Sequence, residues 1–452
     1  MNRYLKVLLI IILALSQVDG FSQDNLTQYN IKSLSENTFL NPGRMPETKL
    51  NINLPMLSSI SVGYSNSGFA MSDLITKRAK DDSMEFNSAN MLSKLDAENL
   101  MALAFNTQLF GVGVRIKQNY YSFNARLRFD ANLSYSKDMF SFLFNGNNAF
   151  MGKQANLSLK LNSTAYTEYA LGFTHITKDE RLTYGGHLKI LSGISNLNTK
   201  RANLGIYTDS STYAITTTPD LLINSSSIDT GSNENNSFGL FGQNMGVGID
   251  LGASYKIDDK LTVSGSIIDL GFINWNTNVS NYQTKSTGST FTFGGFNINK
   301  VGNSLQPFLD TLTDSLKHTF DPVKTKNSYK TGIGTKIYLG ANYKLAEGLD
   351  AGLLLFGKFV NEKFYSAISI SINEELSNIL NVSASFSRVN KTNNVGLGLS
   401  LNLLPIQVYL VSDNIFAISK MDDVRNTNFH FGINLAIGKG KNDTIVKGKS
   451  NE

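Results

Sequence analysis

The sequence predicts an all-β chain, an antiparallel transmembrane β-barrel of about 14 strands, or about 16 if two upstream candidates are counted. Three observations carry this. First, Val395, Leu397, Leu399, Leu401 and Leu403 alternate with Gly396, Gly398, Ser400 and Asn402, the pattern of a strand with one apolar and one small, polar face. Phe429 to Ile437, Ile333 to Tyr343 and Val247 to Tyr255 repeat it. Second, the chain has hardly any helical stretch able to cover so much apolar sheet, so lipid is the expected cover. Third, the chain opens with an export signal, and no later segment approaches the ~20 apolar residues of a membrane-spanning helix.

In chain order, Arg3 and Lys6 precede an apolar run from Val7 to Leu15, and small residues follow. This is a cleaved signal peptide over 1–22, with Gly20 and Ser22 before the cut and Gln23 at the mature start. Residues 23–55 are polar and broken by Pro42 and Pro46. Asn41-Pro42-Gly43 there reads as a turn or as part of a hatch folded into the barrel mouth. The barrel is expected over 56–438, and 439–452 is a basic tail.

Strands are expected near 109–116, 120–129, 154–161, 164–176, 181–194, 243–257, 260–269, 329–344, 348–359, 363–372, 379–388, 394–403, 405–412 and 427–437. Ile60 to Tyr64 and Leu100 to Asn106 are the two upstream candidates. Counting back from a periplasmic C terminus puts short turns such as Asp258-Asp259 inside. The Asn/Ser/Thr-rich excursions 195–242 and 270–328 then fall outside, as such barrels require. By the same count, 130–153 becomes a long periplasmic connection. Within the second excursion, Leu305, Phe308, Leu309 and Leu312 recur at helical spacing. That stripe either packs on the rim or touches an apolar ligand.

With the apolar face outward, Arg126, Arg128, Lys189 and Lys336 point into the lumen, with Asn124, Lys160, Glu168, His187, Asp250, Arg388 and His430. The four cations are candidate ligand contacts, although lumenal charges also serve plain ion pairing. Inward Gly332, Gly334, Gly340, Gly396, Gly398 and Ser400 leave room for water or for a plug. Tyr120, Tyr121, Trp275, Phe356, Phe359 and Phe364 suit an interfacial girdle or a core.

Composition excludes several classes. There is no cysteine among 452 residues, hence no disulfide framework or thiolate chemistry. A net charge of +5 without a basic, aromatic-laced run gives no nucleic-acid footprint. The four histidines lie in unrelated segments, so neither catalysis nor a cofactor or metal is expected. The expected partners are outer-membrane lipid, a hydrophobic ligand, and a protein bound through the loops or the C-terminal tail.

Asn41-Pro42-Gly43, Leu54-Pro55-Met56-Leu57-Ser58-Ser59-Ile60, Phe110-Gly111, Phe308-Leu309-Asp310-Thr311-Leu312, Tyr329-Lys330-Thr331 and Ser412-Asp413-Asn414 resemble a Bacteroidota family of exported barrels known only as a domain of unknown function. More distantly, the Asn-Pro start is similar to that of long-chain fatty acid transporters and of type IX secretion barrels. The resemblance implies an outer-membrane barrel. In the transporter group the segment is Asn-Pro-Ala and belongs to a lumenal hatch, which would place Asn41, Pro42 and Gly43 in a plug seated on the small inward residues. The resulting expectation is a non-catalytic barrel passing or binding a small, hydrophobic solute, or alternatively a docking barrel for secretion or surface machinery.

Overall fold

The computed structural model describes residues 25–78, 80–81, 83–227, 244–284, 290–293, 322–360, 363–389, 392–418 and 420–439. The expected leader, the expected stripe Leu305, Phe308, Leu309 and Leu312, and the residues from 440 onward lie outside the described residues.

Among the described residues, fourteen antiparallel wall positions close into a barrel. β1 has two collinear pieces, Thr48–Asn53 and Ile60–Asn66. Then come β2 (Glu98–Ile116), β3 (Asn119–Ser136), β4 (Leu159–Ile176) and β5 (Leu182–Asn203). β6 (Asn244–Lys256), β7 (Leu261–Trp275), β8 (Lys336–Ala346) and β9 (Leu349–Val360) follow. β10 (Lys363–Glu375), β11 (Leu380–Val389), β12 (Thr392–Leu403), β13 (Ile406–Ser412) and β14 (Asn426–Lys439) complete the wall. β14 pairs back onto β1, with Leu50 opposite Ile437 and Ile60 opposite Phe431. Closure leaves no unpaired edge, the condition for a sheet in hydrocarbon.

Local chemistry sets the hairpins. Asp258 Oδ1 accepts from the backbone N–H of Lys260 at 2.8 Å and of Leu261 at 2.7 Å, closing the β6–β7 turn. Gly348 takes φ +75° in the β8–β9 turn, a conformation that costs glycine little. The alternation then sorts the faces: Leu399 is 47% exposed on the outside, while its neighbour Ser400 is sealed inside. Leu171, Leu188, Leu251, Leu339 and Ile370 extend the outer apolar belt around the wall. This is the surface of a transmembrane barrel, with side chains outward that water would not solvate well. No helix among the described residues is long and apolar enough to cross a membrane.

The strand number agrees with expectation, but its make-up differs. The expected strands 154–161 and 164–176 are one wall strand from Leu159 on, because Asn162 and Ser163 do not turn, while Gln154–Asn156 pairs in a separate small sheet. The Asn198 amide instead donates across the ladder to Asn162 Oδ1 at 2.8 Å, and that of Asn196 to the Ser163 carbonyl at 2.8 Å. Likewise, 100–106 and 109–116 merge into β2, with a bulge at Gln108–Phe110. The position lost is refilled upstream, so the wall starts at Thr48 rather than at 56. This shift of one also moves the 137–158 connection to the end bearing the long loops, opposite to the periplasmic side expected for 130–153.

The excursions expected over 195–242 and 270–328 are partly wall. β5 runs on to Asn203 and pairs with Asp220–Ser226, which pairs with Val279–Gln283 and, beyond it, Val323–Thr325. Above the lipid a strand needs no apolar face, so these polar stretches read as loops. Asn132, Asn162, Asn198, Asn224 and Asn281 form one cross-strand rank on five neighbouring strands. Arg388 is exposed on the outer face, not in the lumen, because inward Val389 sets the parity. Trp275, Tyr120 and Phe356 are buried rather than placed in a girdle, whereas Tyr121, Phe359 and Phe364 are exposed.

Candidate functional site: the filled lumen

Residues 25–43 lie inside the barrel and cross it from wall to wall. The start is pinned by Asp413, whose carboxylate accepts the Leu26 and Thr27 N–H groups at 3.1 and 2.7 Å. Thr27 Oγ1 then meets Ser385 of β11 at 2.7 Å, Tyr29 Oη meets Ser264 of β7 at 3.0 Å, and Asn30 donates to Ser371 of β10 at 2.9 Å. Farther on, the Leu40 carbonyl accepts from Ser266 at 2.6 Å and that of Pro42 from Thr174 at 2.7 Å. Asn41 is buried, and its Oδ1 accepts the Gly43 N–H at 2.8 Å, the turn chemistry of an Asx residue.

The wall is carved to take this segment. A Cβ on Gly340 would lie 2.8 Å from the Tyr29 ring, on Gly352 2.6 Å from Asn30, on Gly396 2.1 Å from Thr27 Oγ1, and on Gly398 2.6 Å from Ile31. Gly43 is constrained the other way: its own Cβ would stand 2.4 Å from the Ala253 backbone. An alanine there would force the strand and the segment apart. Apolar anchors complete the seat. Leu26, Tyr29 and Leu40 pack with Ile268, Tyr338, Leu354 and Phe356, and the Tyr29 and Tyr338 rings stack at 5.3 Å.

Glu36, buried in the same segment, accepts from Asn53 of β1 at 3.1 Å and from Asn434 of β14 at 2.5 Å. Burial pushes its carboxyl up to about 7 against the pull of those amides.

Arg126, Arg128, Lys189 and Lys336 converge on one side of the lumen, on β3, β5 and β8. Arg128 is bidentate on Asp269, at 2.7 and 2.9 Å, and reaches Glu168 at 2.9 Å. Arg126 pairs with Glu168 and lies 4.0 Å over the Phe39 ring of the inner segment. Lys189 bridges Asp250 and Asp269 at 2.7 Å each, His187 holds Asp250 at 3.0 Å, and Lys336 stands 3.8 Å from Asp269. These cations are engaged with three buried carboxylates and with the inner segment. Desolvating so many charges is repaid only because they face one another.

The segment also covers Ser59 and His430. Ser59 Oγ lies 2.8 Å from His430 Nε2, Tyr409 Oη is 3.1 Å from the same nitrogen, and His430 Nδ1 meets Gln28 Oε1. A serine–histidine contact raises the question of hydrolysis. Here the third partner is an amide, and all of these groups are buried, so the contact fastens Gln28 to the wall. Among the described residues no group of three or more His, Asp or Glu is arranged to hold a metal.

A stripe of apolar side chains interrupts the otherwise polar lumen. Ile273 and Trp275 follow one another along β7, and Ile268 lies beyond the buried Asp269 of the charged belt. Trp275 and Ile273 pack with Tyr166, Leu191, Val279 and Ile333, and Ile268 belongs to the cluster under the inner segment. Toward the long-loop end opposite walls meet, Leu100 of β2 on Val360 of β9, with Lys358 3.8 Å from Asp130. A cleft of about 140 Å³ lies beside that contact, lined by Asn99, Ser134, Lys160 and Tyr365 among others.

A family model matches residues 42–413. The chain belongs to the family of unknown function DUF5723. No curated protein matches it. Among solved structures it is similar to the Pseudomonas putida toluene transporter TodX, at 9% identity over 92% of this chain and 93% of that one, with a TM-score of 0.36. It is also similar to a TodX deltaS2S3 mutant, a monoaromatic hydrocarbon channel, at 10% identity over 93% and 96%, with a TM-score of 0.40. A Pseudomonas aeruginosa FadL homologue gives 8% identity over 93% and 96%, with a TM-score of 0.38. Identities this low leave the lumen of this DUF5723 chain to be read from its own residues.

In that lumen, sequence reasoning missed Thr27, Gln28, Tyr29, Asn30 and Glu36. Their segment has neither strand nor helix periodicity, and each finds its partner hundreds of positions away, as Thr27 does in Ser385. The one signal was Ser412-Asp413-Asn414, a polar turn motif whose aspartate caps Leu26 and Thr27.

Proposed function

We propose that this chain is an outer-membrane barrel that takes a small solute with an apolar body along its inner stripe, with residues 25–43 as a displaceable plug. The observation that carries the reading is the stripe itself. A lumen faced by serine, asparagine, glycine and paired charges has no structural need for the Tyr166, Leu191, Ile273, Trp275 and Ile333 cluster on one side of the charged belt and the Tyr338–Leu354–Phe356 patch on the other. The plug covers that patch with Leu26, Tyr29 and Leu40, so moving it uncovers apolar wall.

Displacement is affordable because most plug contacts are single hydrogen bonds to serine, threonine or asparagine. Water replaces such a bond at a net cost of only ~0.5–1.5 kcal/mol. Arg126 lies over plug residue Phe39 and, in this reading, couples the charged belt to the plug. Arg128, Lys189 and Lys336 hold the wall behind it.

The chain's single tryptophan is Trp275, which sits in the stripe and supplies the test. Titrating the detergent-solubilised protein with a short bromoalkane quenches Trp275 saturably, while acrylamide, a polar quencher, leaves it bright. Equal quenching by both, or linear quenching by the bromoalkane with no plateau, overturns the reading.

A second reading, a docking barrel, is favoured by one observation. Beside the wall extension, three of the long-loop connections pair with one another in a small sheet of Gln154–Asn156, Gly205–Thr208, Ile215–Thr217 and Phe291–Phe293, an ordered surface at that end of the barrel.

A further inference from the structure

The connections β1–β2 and β3–β4 do something that a loop over a barrel mouth does not require. They contain three short helices, α1 (Met71–Leu74), α2 (Ser88–Lys94) and α3 (Lys137–Asn145), and a hairpin of Ile75–Lys77 with Met84–Phe86. Met91, Leu95, Phe69, Leu74, Phe140 and Phe144 from these pieces pack together on Tyr135, Met101 and Leu133. Met101 and Leu133 are a cross-strand pair, two residues along from the pair Leu103 and Ala131. Leu103 is exposed on the outer belt, and the alternate residues Ala102 and Asn132 turn to the lumen.

The helices therefore lie against the outside of the wall, not over the mouth. Tyr135 and Asn66, also outward by alternation, are buried beneath them and share a 2.6 Å hydrogen bond. Local caps fix the helices there. Asn87 Oδ1 accepts the Asn90 N–H at 2.9 Å and Ser136 Oγ the Met139 N–H at 3.2 Å. Rings pack edge to face along the flange, Phe69 on Phe140 at 5.9 Å and Phe86 on Phe144 at 5.3 Å.

The free side of this flange is rich in large apolar side chains, with exposed Lys77 across from Met84. Met84 and Leu143 are each 69% exposed, Phe86 58% and Met71 51%. Side chains of this size turned outward from both connections form a contiguous patch rather than scattered residues. The patch continues the lipid-facing belt of Val62 and Leu103 on the same side of the wall. We propose that this flange is a membrane anchor, its Met71, Met84, Phe86 and Leu143 embedded among the acyl chains of the leaflet on the long-loop side. It widens the barrel's lipid-facing surface on the β1–β3 side only, whereas the polar wall extension rises over β5–β8. The inference rests on the transmembrane fold and is independent of what passes the lumen.

The cysteine-free chain makes the test direct. Phe86→Cys and Leu143→Cys, each carrying a nitroxide and reconstituted in phosphatidylcholine vesicles, are compared with Leu399→Cys in the belt and Ser211→Cys on an exposed polar loop. The proposal expects collision ratios of oxygen over a water-soluble nickel chelate within about twofold of the Leu399 site. A heat-dependent gel shift verifies that each variant is folded. Ratios matching the Ser211 site overturn the proposal. Protection from both reagents, the sign of a protein covering the patch, overturns it equally.

Discussion

Joining Thr27→Cys to Ser385→Cys by a disulfide closes the barrel reversibly. The two γ-oxygens are 2.7 Å apart in the native chain, and sulfur atoms at those positions need to move by well under an ångström to reach the ~2.05 Å of a disulfide. The chain has no other cysteine, so oxidation forms one product. Before oxidation, the plug is held at this point by a hydroxyl–hydroxyl contact that water competes for. Afterwards it is tethered to β11 by a bond that breathing does not open. In planar bilayers the reduced protein shows transient potassium-ion conductance whenever the plug shifts. A tether worth ~2–4 kcal/mol lowers the frequency of those openings by well over ~10-fold, and reductant restores them. Openings that persist in the oxidised form would mean that the conducting path does not run past residues 25–43.

Arg128→Met produces the largest loss of stability expected from a single lumenal change. Arg128 is buried and neutralises Asp269 through two hydrogen bonds and Glu168 through one. Methionine fills most of the volume but leaves both carboxylates short of a cation, a penalty of ~3–5 kcal/mol. Urea unfolding of the refolded barrel in micelles, followed by the heat-dependent gel shift, reads this as a lower midpoint. Adding Asp269→Asn to Arg128→Met recovers part of the loss, because the remaining Lys189 then serves Glu168 and Asp250 with less excess negative charge. If the double variant unfolds with the simple sum of the two single losses, Arg128 and Asp269 are not coupled and the belt is ordinary solvation.

The barrel was legible because its physics is periodic. Leu397, Leu399 and Leu401 against Gly398 and Ser400 state which face meets lipid, and that alternation survives in the structure. The inward cations followed from the same parity, as far as the parity held. Arg388 was misplaced against that parity, since it shares a face with the exposed Phe386 while Val389 turns inward. Strand limits were misjudged where polarity changes meaning. Asn162 and Asn198, turn formers in isolation, bond to each other across β4 and β5. The plug was legible only as Asn41-Pro42-Gly43. Its other contacts depend on where glycines such as Gly340 and Gly396 bring the wall close, which no local pattern encodes. Ser59 and His430 illustrate the same limit, since their meeting is fixed by the pairing of β1 with β14.

The measurement that bears most directly on the apolar-solute account is mass spectrometry of the native protein extracted from its membrane in mild detergent, identifying everything that stays bound. The account predicts an apolar small molecule retained in stoichiometric amount, which is lost when Trp275 and Tyr166 are replaced by serine in a chain that still folds. A stoichiometric protein partner with no such molecule would contradict it, and the filled lumen would then be a rigid core for a docking barrel.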